Sequence, residues 1–180
     1  MARGETVDGE AMRRVLGAFA GGVVVVTAVH ADGSGGGNGD GGGEPVGMAC
    51  QSFSSLSLDP PLVVFCPAET STTWPRIRAA GRFAVNVLAE DQRETCAAMA
   101  RGGAGGGGKF AGVPWRPAPG GSPLLDGALA WIEADIDREL PGGDHSVVIG
   151  RVTALGAGRD AGPLLFFRSR FGALGEPAAV

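Results

Sequence analysis

Seven consecutive residues, Val23-Val24-Val25-Val26-Thr27-Ala28-Val29, constrain this chain more than any other feature. β-Branched side chains lose χ1 freedom in a helix and pack well on a pleated surface, so the run predicts a buried strand. Similar runs recur at Val46 to Phe53, Pro61 to Cys66, Phe83 to Leu88, Leu129 to Glu139, Ser146 to Leu155 and Leu164 to Phe167. Together they give about seven short strands separated by polar, Gly- and Pro-rich connections. Helical periodicity is confined to three places. Met12, Val15, Leu16 and Phe19 recur at i, i+3, i+4 and i+7 before the stop Gly21-Gly22. Trp74 to Ala80 has Pro75 in its first turn and Gly81 after its last. Glu90 to Arg101 is Ala-rich. The pattern predicts a mainly β chain, a barrel or sandwich with two or three peripheral helices.

The connections differ in kind. Residues 33–43 and 102–108 are almost entirely glycine and predict flexible loops; the position of the first between two strand-like runs predicts an elongated hairpin loop. Ser54 to Pro60 predicts a hydroxyl-rich turn, and 109–127 an irregular surface segment. In Leu129 to Glu139 the alternation sets Glu133, Asp135 and Asp137 on one side, which predicts a solvated strand face. No internal repeat or linker divides the 180 residues, so one domain is expected, with its ordered core over about 10–174.

Charge and cysteine content exclude several classes. The net charge is −4 with no basic block, which argues against nucleic acid or an anionic membrane as partner. No apolar run approaches the ~18 residues of a membrane helix. Met1 to Glu10 lacks a signal-peptide pattern, and the three cysteines, Cys50, Cys66 and Cys96, are an odd number at no metal-ligand spacing. Reduced thiols in the cytoplasm and no metal site are therefore expected. Phosphate-loop, dinucleotide-fingerprint, zinc-protease and nucleophile-elbow motifs are missing, and only His30 and His145 are present. With so few acid–base groups, a bound organic cofactor is the natural source of any chemistry.

The informative stretch is 47–73, GMACQSFSSLSLDPPLVVFCPAETSTT. Two hydroxyl clusters flank a buried strand. Ser71, Thr72 and Thr73 open a helix, where hydroxyls and amides can hold a phosphate; equally, they can be turn and cap residues. Ala49-Cys50-Gln51-Ser52-Phe53-Ser54-Ser55-Leu56-Ser57-Leu58-Asp59-Pro60-Pro61 resembles the signature of the flavin reductase family. That family comprises FMN-binding split-barrel proteins that serve two-component monooxygenases. The following S-x-T element, Gly81 to Leu88, Gly143-Asp144-His145 and Leu164 to Gly172 match in order. Departures are Ala49 where Thr is frequent, Gln51 where Asn or Ser is frequent, and Phe167 and Phe171 in place of tyrosines; the chain has no tyrosine.

The resemblance implies a split β-barrel of Greek-key type and a homodimer. It implies an NAD(P)H:flavin oxidoreductase that uses FMN or FAD with NADH or NADPH, and a separate oxygenase that receives reduced flavin by diffusion. Residues Ala49, Cys50, Gln51 and Ser52 would then line the isoalloxazine ring. Ser54 and Ser55 would contact the ring or ribityl chain, and Cys66, Pro67 and Ala68 would border the ring. Ser71, Thr72 and Thr73 would hold the phosphate, with added charge from Arg101 or Lys109. His145 would act at the nicotinamide, with Arg170 close by. Structural alternatives stand beside these roles. His145 can be a turn residue beside Asp144, Asp59-Pro60-Pro61 a structural turn, and Cys50 and Cys66 packing residues. Trp74, Trp115 and Trp131 can be core or rim residues, and Asn86 a satisfied buried polar group. The functional alternatives are a pyridoxamine-phosphate-oxidase-like or deazaflavin enzyme on the same fold, a non-catalytic flavin-binding protein, and a small-ligand barrel without cofactor.

Overall fold

The computed structural model describes residues 7–31, 43–102 and 106–175, so most of the 33–43 loop and residues 103–105 of the second glycine loop lie outside the described residues. The valine run forms β2 (Val24–His30), whose first five residues are buried. β2 pairs antiparallel with β3 (Glu44–Cys50) on one side and β6 (Arg82–Val87) on the other. The sheet continues through β9 (Ala130–Gly142), β10 (His145–Ala157) and β5 (Pro61–Phe65) to the edge strand β4 (Ser54–Leu58). Alternation along β2 divides its side chains between two cores. Val24, Val26 and Ala28 join Val46, Phe65, Phe83, Val85, Ala134 and Val148 inside the curled sheet. Val23 and Val25 face outward onto Leu88, Met99, Phe110 and Leu164. The sheet wraps the inner core without closing, because β3 and β4 keep free edges. Short helix α2 (Trp74–Ala80) closes one end by burying Trp74 and Ile77. The Phe65 ring meets Trp74 and Phe83 edge-on, at centroid distances of 5.5 and 5.1 Å. This is a mainly β fold of the split-barrel type.

Smaller elements cover the outer face. They are α3 (Arg93–Ala100), α4 (Gly106–Lys109), the pair β7 (Trp115–Pro117) and β8 (Pro123–Leu125), and the sheet of β1 (Gly21–Gly22), β11 (Leu164–Phe167) and β12 (Arg170–Ala173). Gly47 lets α3 and α4 approach β3: a Cβ there would lie 2.9 Å from Met99 Sδ and 3.3 Å from Phe110 Cζ. Asn86 is fully buried. It accepts from the Leu125 amide at 2.8 Å and donates to Thr27 Oγ1 at 3.1 Å, while Thr27 donates to Pro123 O at 2.6 Å. These two side chains clamp the β7–β8 pair to the main sheet.

Several local expectations change. The first helix, α1 (Gly9–Leu16), starts at the Asp8 cap and ends earlier than the periodicity suggests. Its face of Met12, Val15 and Leu16, with Phe19 beyond, is exposed rather than packed. Gly21-Gly22 is strand, since β1 pairs with β11. Ser54 to Leu58 is strand β4, not turn: it pairs antiparallel with β5 at the edge of the sheet. The 109–127 segment holds a two-stranded sheet, pinned by the Asn86 clamp. Part of 102–108 is helix α4. The acidic face of β9 is not uniformly solvated. Glu133 is 1% exposed and accepts from the Gly120 and Ser122 amides at 2.7 and 3.2 Å. Asp135 pairs with Arg82 at 2.7 Å. Asp137 falls at a bulge and pairs with Arg151 at 2.8 Å.

Candidate functional site

The end of β3 runs into a cleft of about 270 Å³. Ala49, Cys50 and Gln51 form its floor beside Val23. One wall is Cys96 and Ala100, one turn apart on α3, where small side chains leave width. Phe166 and Phe171 also line the cleft; they are cross-strand partners on β11 and β12, with ring centroids 5.3 Å apart at 68°. The turn joining those strands has Arg168 and Ser169 at φ 48° and 60°, and the Arg168 amide donates to Gly17 O at 2.9 Å. Two consecutive left-handed residues match the twist of a tight hairpin, at a steric cost for side chains other than glycine.

Beside the floor, Ser52 ties β3 to β5. Its Oγ accepts from the Cys66 amide at 2.8 Å, donates to Cys66 O at 3.1 Å, and lies 3.2 Å from Cys50 Sγ. Burial pushes the Cys50 thiol pKa up, against the lowering effect of the Ser52 hydrogen bonds. Burial likewise pushes up Cys96.

The chain then passes the buried Pro67, whose carbonyl accepts from the Ser146 amide at 3.0 Å. Ala68 bridges to His145. Ser71 Oγ accepts from the Trp74 amide, the first of α2, at 3.1 Å, while Thr72 is exposed. Thr73 is buried, and its Oγ1 accepts from Lys109 Nζ at 3.1 Å. Lys109 Nζ also donates to Gly47 O and Met99 O, each at 3.1 Å. Its hydrogen-bond acceptors are thus three neutral oxygens, and burial holds its pKa below the ordinary lysine value. Gly47 is two residues from Ala49, and Met99 adjoins Ala100, so the ammonium sits next to the cleft. Because Thr73 Oγ1 accepts from Lys109, its own hydrogen is left for another acceptor.

His145 follows the two-residue turn Gly143-Asp144, in which Gly143 has φ +82°. The Asp144 carboxylate lies 2.7 Å from Nδ1, and the carboxyl pKa is lowered by that hydrogen bond and by the charge of His145. A carboxylate there selects Nδ1–H as donor and leaves Nε2 as the lone-pair nitrogen of the neutral ring. The imidazole is half exposed, with 44% side-chain accessibility.

The fold therefore brings Ala49, Cys50, Gln51, Ser52 and Cys66 together, with Pro67, Ala68, Ser71, Thr73 and His145 on the segments that continue from them. Ser54 and Ser55 are exposed on edge strand β4, outside the cleft lining. Arg101 is exposed immediately after Ala100. Arg170 is exposed at the start of β12, and among the described residues no hydrogen bond or ion pair joins it to His145. Sequence reasoning did not find Val23, Cys96, Ala100, Phe166 or Phe171 as lining residues. The signals were slight: small residues four apart on α3 and an aromatic pair across a short hairpin. An apolar cleft of this size suits a planar ring, and the Thr73–Lys109 donors suit an anion at its edge. Among the described residues no group of three His, Cys, Asp or Glu side chains could hold a metal, and no helix is long and apolar enough to cross a membrane.

A family model described as flavin reductase like domain matches residues 16–175. The reductase subunit HsaB of a flavin-dependent monooxygenase from Rhodococcus jostii (strain RHA1) is 46% identical over 167 residues, spanning 93% of this chain and 78% of that protein. A crystal structure of a nitrilotriacetate monooxygenase component B homologue from Mycobacterium thermoresistibile superposes with a TM-score of 0.82 at 43% identity, covering 98% of this chain and 94% of the other. The NADH:FAD oxidoreductase SgcE6 of Streptomyces globisporus, in complex with NAD and FAD fragments, gives a TM-score of 0.82 at 34% identity, over 98% of this chain and all of the other.

Proposed function

Because the chain belongs to the flavin reductase like family, we propose that it is an NAD(P)H:flavin oxidoreductase whose product is reduced flavin for a separate monooxygenase component. The observation that supports the reading is the apolar cleft of Ala49, Cys50 and Gln51, with Lys109 Nζ held by Thr73 Oγ1 and by Met99 O, the residue before the cleft-lining Ala100. FMN or FAD, when bound, supplies the acceptor for a hydride from NADH or NADPH. The protein's share is positioning. Ala49 to Ser52, Cys66, Pro67 and Ala68 border the ring, and Phe166 and Phe171 limit it. Ser71, Thr72 and Thr73 bind the phosphate, Thr73 donating outward while Lys109 polarises it from behind. Arg101 adds charge at the rim. His145, fixed through Nδ1 by Asp144, presents Nε2 to the nicotinamide, and Arg170 serves the nicotinamide nucleotide from the hairpin. Ser54 and Ser55 reach the flavin only from the edge of the sheet. None of this requires a titrating group in the cleft, because hydride transfer depends chiefly on ring contact and fixed dipoles.

The exposed apolar face of α1 supports a homodimer, and the three free thiols support a cytoplasmic place of action. Light scattering on the purified protein tests the dimer; a monomer at micromolar concentration overturns it. The activity test follows nicotinamide absorbance in air with FMN, FAD or riboflavin added in turn. Turnover that depends on added or bound flavin is expected with NADH or NADPH. Folded protein that consumes neither with any flavin overturns the assignment.

A further inference from the structure

Cys50 and Cys66 stand 16 positions apart in sequence, yet one hydroxyl touches both segments. Ser52 Oγ is 3.2 Å from Cys50 Sγ and 2.8 Å from the Cys66 amide nitrogen. Cys50 Sγ therefore lies within about 6 Å of the Cys66 amide nitrogen, so the two cysteines are spatial neighbours across the Ser52 hydroxyl. The charge of a Cys66 thiolate also bears on the titration of Cys50. The two thiols differ in access: Cys66 is half-buried, whereas Cys50 is 8% exposed and forms part of the cleft floor. Hydride transfer uses neither sulfur. We propose that Cys50 and Cys66 are a peroxide-sensing dithiol whose reversible disulfide lowers flavin affinity by displacing the cleft floor.

The oxidant is hydrogen peroxide, the product when dihydroflavin meets oxygen, so its local supply rests on the flavin reductase reading. The more accessible Cys66 attacks as thiolate. A sulfur–oxygen bond forms, the O–O bond breaks, and the departing hydroxide takes a proton to become water. The Cys50 sulfur then attacks the Cys66 sulfenic acid. The S–S bond forms, the S–O bond breaks, and the Cys50 proton leaves with the hydroxyl as a second water. Two thiols lose two electrons in total, and the peroxide gains them. Closing the bridge draws Cys50 away from its hydrogen bond with Ser52 and moves the strand end that carries Ala49 and Gln51. Reduced flavin made faster than the oxygenase consumes it would thus slow its own production.

The test uses the full chain, reduced and then freed of reductant, treated with hydrogen peroxide without flavin, alkylated and mapped by mass spectrometry. The expected map joins the peptides of Cys50 and Cys66, leaves Cys96 alkylated, and is reversed by dithiothreitol. The FMN Kd, measured calorimetrically before and after oxidation, rises about tenfold. In Cys50→Ser the reaction stops at a Cys66 sulfenic acid that dimedone traps, and in Cys66→Ser peroxide no longer changes the FMN Kd. Free thiols at both positions after treatment, or a bridge that includes Cys96, overturns the proposal. A Cys50–Cys66 bridge with unchanged FMN affinity overturns its effect on the cleft. Reduced protein that binds no flavin overturns the reductase reading and the closing role with it, whatever the peptide map contains.

Discussion

Lys109 places an ammonium among neutral oxygens beside the candidate flavin cleft. Replacing it by Met keeps the stem but strands Gly47 O and Met99 O, so stability should fall by about 2–3 kcal/mol in urea titration. If Lys109 serves the phosphate through Thr73, Lys109→Met should raise the FMN KM about tenfold and leave the riboflavin KM unchanged. Equal losses for both flavins would reduce Lys109 to a structural tether. For His145 the geometry separates two roles. Asp144→Asn keeps a hydrogen-bonding oxygen for Nδ1 but removes the carboxylate charge. The NAD(P)H KM or kcat should therefore change more in His145→Ala than in Asp144→Asn, with FMN binding preserved in both. An active His145→Ala enzyme with normal constants would return the residue to its turn. The motif around His145 was readable from sequence. The surroundings of Lys109 were not readable, because its partners lie 10, 36 and 62 positions away and no local pattern encodes them.

Whole segments depend on single buried contacts. Asn86 and Thr27 hold the β7–β8 pair against β6 and β2. Asn86→Ala leaves the Leu125 amide without its partner and should cost about 2–3 kcal/mol. Hydrogen exchange should show the loss concentrated in 115–125; uniform destabilisation would mean that the clamp is not local. That Asn86 is a satisfied core residue was legible, since an amide amid an apolar strand needs partners. That its partner is an ordered hairpin was not, because 109–127 has too little β propensity to form strands without the clamp. Trp74 to Ala80 was read correctly to the residue, since Pro75 and the left-handed Gly81 fix both ends chemically. The Ser54–Leu58 edge strand was misread because serine clusters signal turns, and pairing with β5 overrides that preference. Gly150 illustrates packing between strands: a Cβ would lie 2.5 Å from Phe83 Cζ in the inner core. Gly150→Ala should therefore destabilise by about 1–3 kcal/mol through overpacking, read as a lower urea midpoint with unchanged slope.

At the scale of the molecule, charge ties stability to pH in two windows. Burial raises the Glu139 carboxyl, but hydrogen bonds from Trp74 and Ser146 and the nearby Arg78 outweigh it, and the pKa falls below its ordinary value. Its contribution is therefore present above the unfolded value of about 4.3 and is lost as pH drops below it. Glu139→Gln should flatten the acid limb of a Tm–pH curve, and an unchanged limb would exclude this node. Lys109 acts at the other end. Its lowered pKa means the unfolded chain holds more protons up to about 10.4, so stability gains as pH climbs through that window. The barrel was legible because strand patterning is local, while the cleft walls were not, because α3 and the last hairpin meet β3 only in three dimensions. The absence of tyrosine has an optical consequence. Ultraviolet emission comes from Trp74, Trp115 and Trp131 alone, and Trp74 directly follows Thr73 while Trp115 lies edge-on to Phe110, the neighbour of Lys109. Two of the three fluorophores thus flank the donor group, and an isoalloxazine arriving there would absorb their light, making the unlabelled chain its own gauge of flavin occupancy.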